Sequence, residues 1–273
     1  MSSLFNMLKE TVRELELHVQ ALGDNFPKPN LVDYDGLPFF RHEKYDDLLA
    51  SHLKCIRIVS SLNASLALLE KGYVQEVYVL CRCIDEFFED IFYMATPLNG
   101  NSPSKYQVRF MEDFYQEEYD PPTNPLMSTQ KRDRVSRKKI QAGISRIEGH
   151  GLNPSDSQEL HRTISQTLSG YVHGAYVHIM ELYGGKPPYF HTSGMLNTPK
   201  LVECENNLVH HVYRSIKAAQ VIARRVQASS IDAKLVLLSK EFEERTGCVS
   251  NQPVEERVKK LKKNGVISFI KKP

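Results

Sequence analysis

"LLEKGYVQEVYVLCRCIDE", residues 68–86, decides the fold. The opening "LLEKG" closes one amphipathic segment, and Gly72 supplies the stop that helices favour just past their last turn. Helical rhythm then resumes at once and runs to residue 94. Tyr73, Val77, Leu80, Cys81, Ile84, Phe88 and Ile91 form a core stripe, with Arg82, Glu86 and Glu89 opposite it. Val79, Cys83 and Phe87 flank those charges, so the segment is apolar nearly all round. A helix of that kind is buried. A joint this short folds the two helices into an antiparallel hairpin. Arg82 and Glu86, four residues apart, have the spacing for an ion pair along the helix.

Working outward, residues 44–72 carry a helical stripe of Tyr45, Leu48, Leu49, Leu53, Ile56, Val59, Leu62, Leu66 and Leu69. Residues 3–22 place Leu4, Leu8, Val12, Leu15, Val19 and Leu22 on one face, with Ser3 as N-cap. Between them "GDNFPKPNLVDYDGLPFF" (23–40) reads as a loop, because prolines and glycines interrupt it. Downstream, helices are predicted over 103–118, 128–148, 155–183, 200–228, 231–246 and 254–263, with strand composition only at Val266–Ile270. The segment 96–127, Pro-rich around its helix, and the irregular segment 184–199 are expected to lie over one end. No alternation of strands and helices occurs, which excludes a doubly wound sheet or an α/β barrel. The expectation is an all-α, multi-helix up-down bundle with a short C-terminal strand or extended tail. Residues 1–250 form a single helical domain with its core at 44–95 and 155–228, and residues 251–273 form a basic tail.

Thirty-five basic against 33 acidic residues leave a net charge of +2, so attraction to nucleic acid or membrane must come from a local patch. Five scattered cysteines, Cys55, Cys81, Cys83, Cys204 and Cys248, give neither a secreted disulfide framework nor the paired spacing of a zinc site. No run approaches the ~18 apolar residues of a membrane span. The N-terminus has the acids that a transit peptide lacks, so a cytoplasmic protein is expected. Phosphate-binding glycine patterns are absent, and no cofactor or metal is implied.

"LSGYVHGAY" (168–176) places two glycines and a histidine inside the predicted 155–183 helix. Glycine costs roughly 0.5–1 kcal/mol relative to alanine there, so Gly170 and Gly174 imply a close approach by a neighbour. Arg162, Ser169 and His173 share a polar face. If that face is covered, those groups need partners, and Arg82 and Glu86 can supply them as a polar pocket. His210 and His211, adjacent and therefore divergent on a helix, read as surface or boundary residues.

With "LLEKGYVQEVYVLCRCIDE" followed by "RTISQTLSGYVHG", the chain resembles a group of uncharacterised bacterial all-helical proteins, similar in outline to the HEPN superfamily, over residues 45–185. The resemblance implies a HEPN-like bundle and points to Arg82, Glu86, Arg162, Ser169 and His173 as site residues. Many HEPN domains are ribonucleases with Arg four to six residues before His; here His173 follows Arg162 by eleven. As a ribonuclease, the site would use His173 as general acid or base and Arg82 or Arg162 on the phosphate.

"KRDRVSRKK" gathers Lys131, Arg132, Arg134, Arg137, Lys138 and Lys139 in nine residues, either a solvated helix face or a phosphate-contacting patch. Two functional classes result. One is a helical binding or effector module of a bacterial defence or regulatory system, working through a protein partner or homodimer and through RNA at 131–139. The other is a metal-independent HEPN-like ribonuclease. Neither needs a membrane.

Overall fold

The computed structural model describes residues 2–96, 102–147 and 166–248. It is mostly helical, with two small sheets. Arg162, the expected 254–263 helix, the Val266–Ile270 strand and the basic tail lie outside the described residues.

Helix α1 (Ser3–Leu22) starts one residue earlier than its sequence suggests: Ser2 is the cap, and its hydroxyl accepts a hydrogen bond from the Phe5 amide at 2.9 Å. Helices α2 (Asp47–Glu70) and α3 (Val74–Ala95) form the expected hairpin around Gly72, whose φ of +78° is the left-handed stop. On α2 the expected stripe is buried at Leu49, Val59, Leu62, Leu66 and Leu69 and is widened by Cys55, Ile58 and Ser65, while Ile56, and Tyr45 ahead of the helix, are exposed. Of the residues in α3 only Glu76 is exposed, as a helix apolar nearly all round requires.

Helix α8 (Pro199–Arg225) lies against α1, α2 and α3, and α9 (Ser229–Thr246) closes the bundle against α1 and α8. One continuous apolar core joins these five helices, from Phe5 and Leu8 through Leu62, Val77 and Ile84 to Ile216 and Phe242. Burying each large aliphatic or aromatic side chain contributes about 1.5–3 kcal/mol, so the core, not helix propensity, holds these elements. A smaller core of Ala50, Tyr93, Met94, Phe110, Val135, Ile140 and Ile144 lies at the C-terminal end of α3, under α4 (Lys105–Tyr115) and α5 (Arg137–Ile147).

Four expectations need correction. Residues 23–40 hold an antiparallel hairpin, β1 (Asn30–Tyr34) with β2 (Leu37–Arg41), turning at Asp35–Gly36 with φ of 53° and 84°. The Asp-Gly pair was its signal. The 128–148 helix begins only at Arg137, because residues 128–136 are drawn out to bury Val135 and to carry Arg132 to Asp113 at 2.9 Å. The 155–183 helix breaks: α6, described over 166–172, ends in a turn, and a separate short helix α7 (Tyr176–Met180) follows. Finally, the two segments expected over one end lie at opposite ends. Tyr115 donates to the Asp46 carbonyl at the start of α2, whereas Met195 donates at 2.7 Å to the Gly72 carbonyl at its far end. A small hairpin, β3 (Tyr183–Gly184) with β4 (Tyr189–Phe190), leads into that second contact.

Candidate functional site

The acids at Asp85, Glu86 and Asp90 of α3 meet cations from three other elements. Arg82 and Glu86 form the expected pair at 2.6 Å. One residue before Glu86, Asp85 receives Arg214 of α8 at 2.5 Å and faces His211 at 3.1 Å. One turn further, Asp90 receives Arg137 at 2.6 Å and Lys54 of α2 at 2.8 Å. Arg137 also donates to the Glu86 carbonyl at 3.1 Å, so it ties α5 to both levels of the ladder. Lys54 stands 5.0 Å from the Phe114 ring, with Phe87 and Phe110 rings at 5.4 and 5.5 Å, a cationic head held among aromatic faces.

The titration behaviour follows from this burial. Burial alone would lower the His211 pKa, but Cys81 and Asp85 outweigh it and hold the imidazolium up to about 10. Burial alone would raise the Asp85 pKa, and Arg214 and His211 hold it below the ordinary carboxylate range instead. Asp90 goes the other way: burial raises it, against Arg137 and Lys54. A thiol, an imidazole and a carboxylate at Cys81, His211 and Asp85 are the residue types of a nucleophilic triad. Cys81 is only 1% exposed, however, and lines neither of the two main cavities. The cluster therefore pins α3 to α8, with its thiol buried.

The sequence-predicted residues divide. Tyr171 of α6 stacks on Tyr78 of α3 at 4.6 Å, so α6 does touch the helix carrying Arg82. The contact stops there. His173 sits in the turn after α6, exposed, with no hydrogen bond or ion pair to Arg82 or Glu86 among the described residues. Ser169 is half-buried, and its carbonyl accepts from the His173 amide at 3.1 Å. The glycines answer a packing need of a kind not expected. At Gly174 (φ +60°) the chain turns back, and α7 brings the His178 imidazole to within 2.2 Å of where a Gly170 Cβ would stand. The neighbour is thus a side chain eight residues on, carried by the short helix α7 rather than by a distant element. Tyr171 locks this fold-back by donating to Glu181 at 2.8 Å, and Lys200 reaches Glu181 at 3.3 Å.

The basic cluster is partly spent inside the molecule. Arg132 pairs with Asp113 and Glu118, and Arg137 with Asp90. Lys139 lies over the Tyr106 ring at 4.3 Å, and Arg134 is 3.8 Å from Glu118. Lys131 and Lys138 are exposed. Of the cluster, Arg132, Arg134 and Arg137 line a cavity of about 380 Å³ together with Lys54, Glu86, Asp90 and Asp113, so its lining carries both cations and carboxylates.

His211 and Arg214 were missed as site residues. Their signal was positional: His211 falls on the same α8 face as Leu208, Val212 and Ser215, all buried. Among the described residues no group of three or more His, Cys, Asp or Glu could hold a metal ion, and no helix is long and apolar enough to cross a membrane. Compared with protein-family models, curated proteins and solved structures, the chain matches none.

Proposed function

We propose that this chain is a HEPN-like helical binding module of a bacterial defence or regulatory system, and that its first partner is a second copy of itself. The observation that carries the binding reading is the surface built by residues 172–190. Val172, Tyr176, Val177, Ile179, Met180, Tyr183, Tyr189 and Phe190 are all exposed, Tyr176 to 77% and Val177 to 64%. At such exposures these side chains present on the order of 700 Å², close to the roughly 800 Å² per partner of a stable interface. Monomeric proteins seldom leave so many large apolar side chains of one short stretch in water. The charges in this stretch are nearly balanced, with Glu181 already paired to Lys200, so two copies meet without like-charge repulsion. The resemblance to HEPN-like proteins and the Arg82–Glu86 pair support the wider class.

The ribonuclease alternative draws less from the geometry. It needs His173 beside Arg82 or Arg162; His173 is exposed with no contact to the Arg82–Glu86 pair among the described residues, and Arg162 lies outside them. RNA contact through 131–139 is limited by the internal pairing of Arg132 and Arg137.

Light scattering on a concentration series tests the proposal. The expected mass is twice the 31.3 kDa of the chain, falling to one copy in Tyr176→Glu and Val177→Lys variants with unchanged circular dichroism. A single-copy mass up to about 100 μM, a concentration that fills even a micromolar dimer, overturns it.

A further inference from the structure

A second cavity, larger than the one beside the charge ladder, lies at the start of α2 and belongs to no part of the reading above. It encloses about 720 Å³, within the roughly 300–1,000 Å³ of small-molecule sites. Met94, Met111, Val108 and Pro103 give it apolar walls, and Tyr45 and Tyr115 stack at 4.5 Å to form an aromatic side. Tyr115 is fixed, because its hydroxyl donates to the Asp46 carbonyl at 2.8 Å. Tyr45 is 59% exposed and offers its outer ring face.

The rim decides what such a cavity takes. Asp46, Asp47 and Glu112 line it, against one cation, Arg225. Arg225 is already neutralised by Asp47 at 2.8 Å. Asp46 is engaged as the α2 cap, accepting from the Leu49 amide at 2.7 Å. Glu112 is exposed and has neither a hydrogen bond nor an ion pair through its side chain among the described residues. The mouth is therefore net negative, with one uncommitted carboxylate above a wall of sulfur and ring faces. Methionine and tyrosine surfaces favour polarisable, flat groups, and tyrosine faces attract cations.

We propose that this cavity binds an amphipathic organic cation, an aromatic amine whose ring packs on Tyr45, Met94 and Met111 and whose ammonium pairs with Glu112. The test uses three indoles of one size on the full chain: tryptamine, neutral tryptophol and anionic indoleacetate, titrated by calorimetry or saturation-transfer NMR. Tryptamine binds at least ~10-fold more tightly than indoleacetate, a single ion pair's worth of discrimination. Glu112→Gln lowers tryptamine to the tryptophol level and leaves tryptophol unchanged, while Tyr45→Ala weakens both. Indoleacetate binding as well as tryptamine, an unaltered tryptamine affinity in Glu112→Gln, or no binding by any of the three overturns the proposal. Because none of these residues lies in 172–190, the outcome is independent of the oligomeric state.

Discussion

Replacing Asp85 by Asn removes the one negative charge that serves both Arg214 and His211 while keeping the shape of the side chain. Taking away one partner of a buried ion pair costs about 3–5 kcal/mol, because the other charge stays desolvated. For a chain of this size each kcal/mol moves the melting midpoint by about 2–4 °C, so a drop of roughly 6–20 °C is expected. The pH dependence makes the prediction sharper. His211 is raised from an ordinary 6.5 to about 10, so its contribution is complete below the lower value and is lost as pH rises toward the upper one. Asp85 is depressed below its ordinary 3.8, so its contribution is present above that value and is lost as pH falls through the depressed one. The pair therefore contributes most at about pH 5–6. Melting curves of both proteins should differ most there, and the gap should narrow toward about pH 10 without closing, since Arg214 keeps its charge. Asp232→Asn, which loosens an exposed pair with Arg224, serves as control at up to about 1 kcal/mol. A midpoint for Asp85→Asn within about 2 °C of the parent, or a gap that does not change with pH, would refute the assignment of a buried charged pair.

Gly194→Ala tests the docking of residues 191–198 on the α2–α3 joint. The added Cβ would stand 2.1 Å from the Lys71 carbonyl oxygen at a φ of +104°, and the Met195–Gly72 hydrogen bond would give way, for a loss of about 3 kcal/mol or more in thermal or urea unfolding. His173→Ala, at an exposed turn, should change stability by less than about 0.5 kcal/mol. Incubated with mixed RNA, both His173→Ala and the parent should leave it intact, and cleavage by the parent alone would restore the nuclease reading.

The hairpin at Gly72 and the burial of α3 were legible because both follow from local rules: a glycine stop, and a segment with no wide polar face. What a helix does with leftover polar residues was not. Arg82 and Glu86 lie on one helix, and their spacing alone announces the pair. Asp85, by contrast, finds its cations more than 120 residues away, and Asp90 draws on both α2 and α5. No periodicity within one element encodes a meeting of that kind. The same limit explains "LSGYVHGAY". Its spacing announces a close approach at Gly170, yet the partner is His178, which reaches back only because Gly174 takes a left-handed conformation that ends the helix. A continuous helix would have carried Tyr176 and Val177 along its own axis. The break instead folds them outward with the β3–β4 hairpin, so the residue pattern that looked like a buried polar pocket produces an exposed apolar face. Two glycines four apart thus decide between a closed site and an exposed apolar face, and they do so through backbone geometry rather than through the chemistry of the histidine between them.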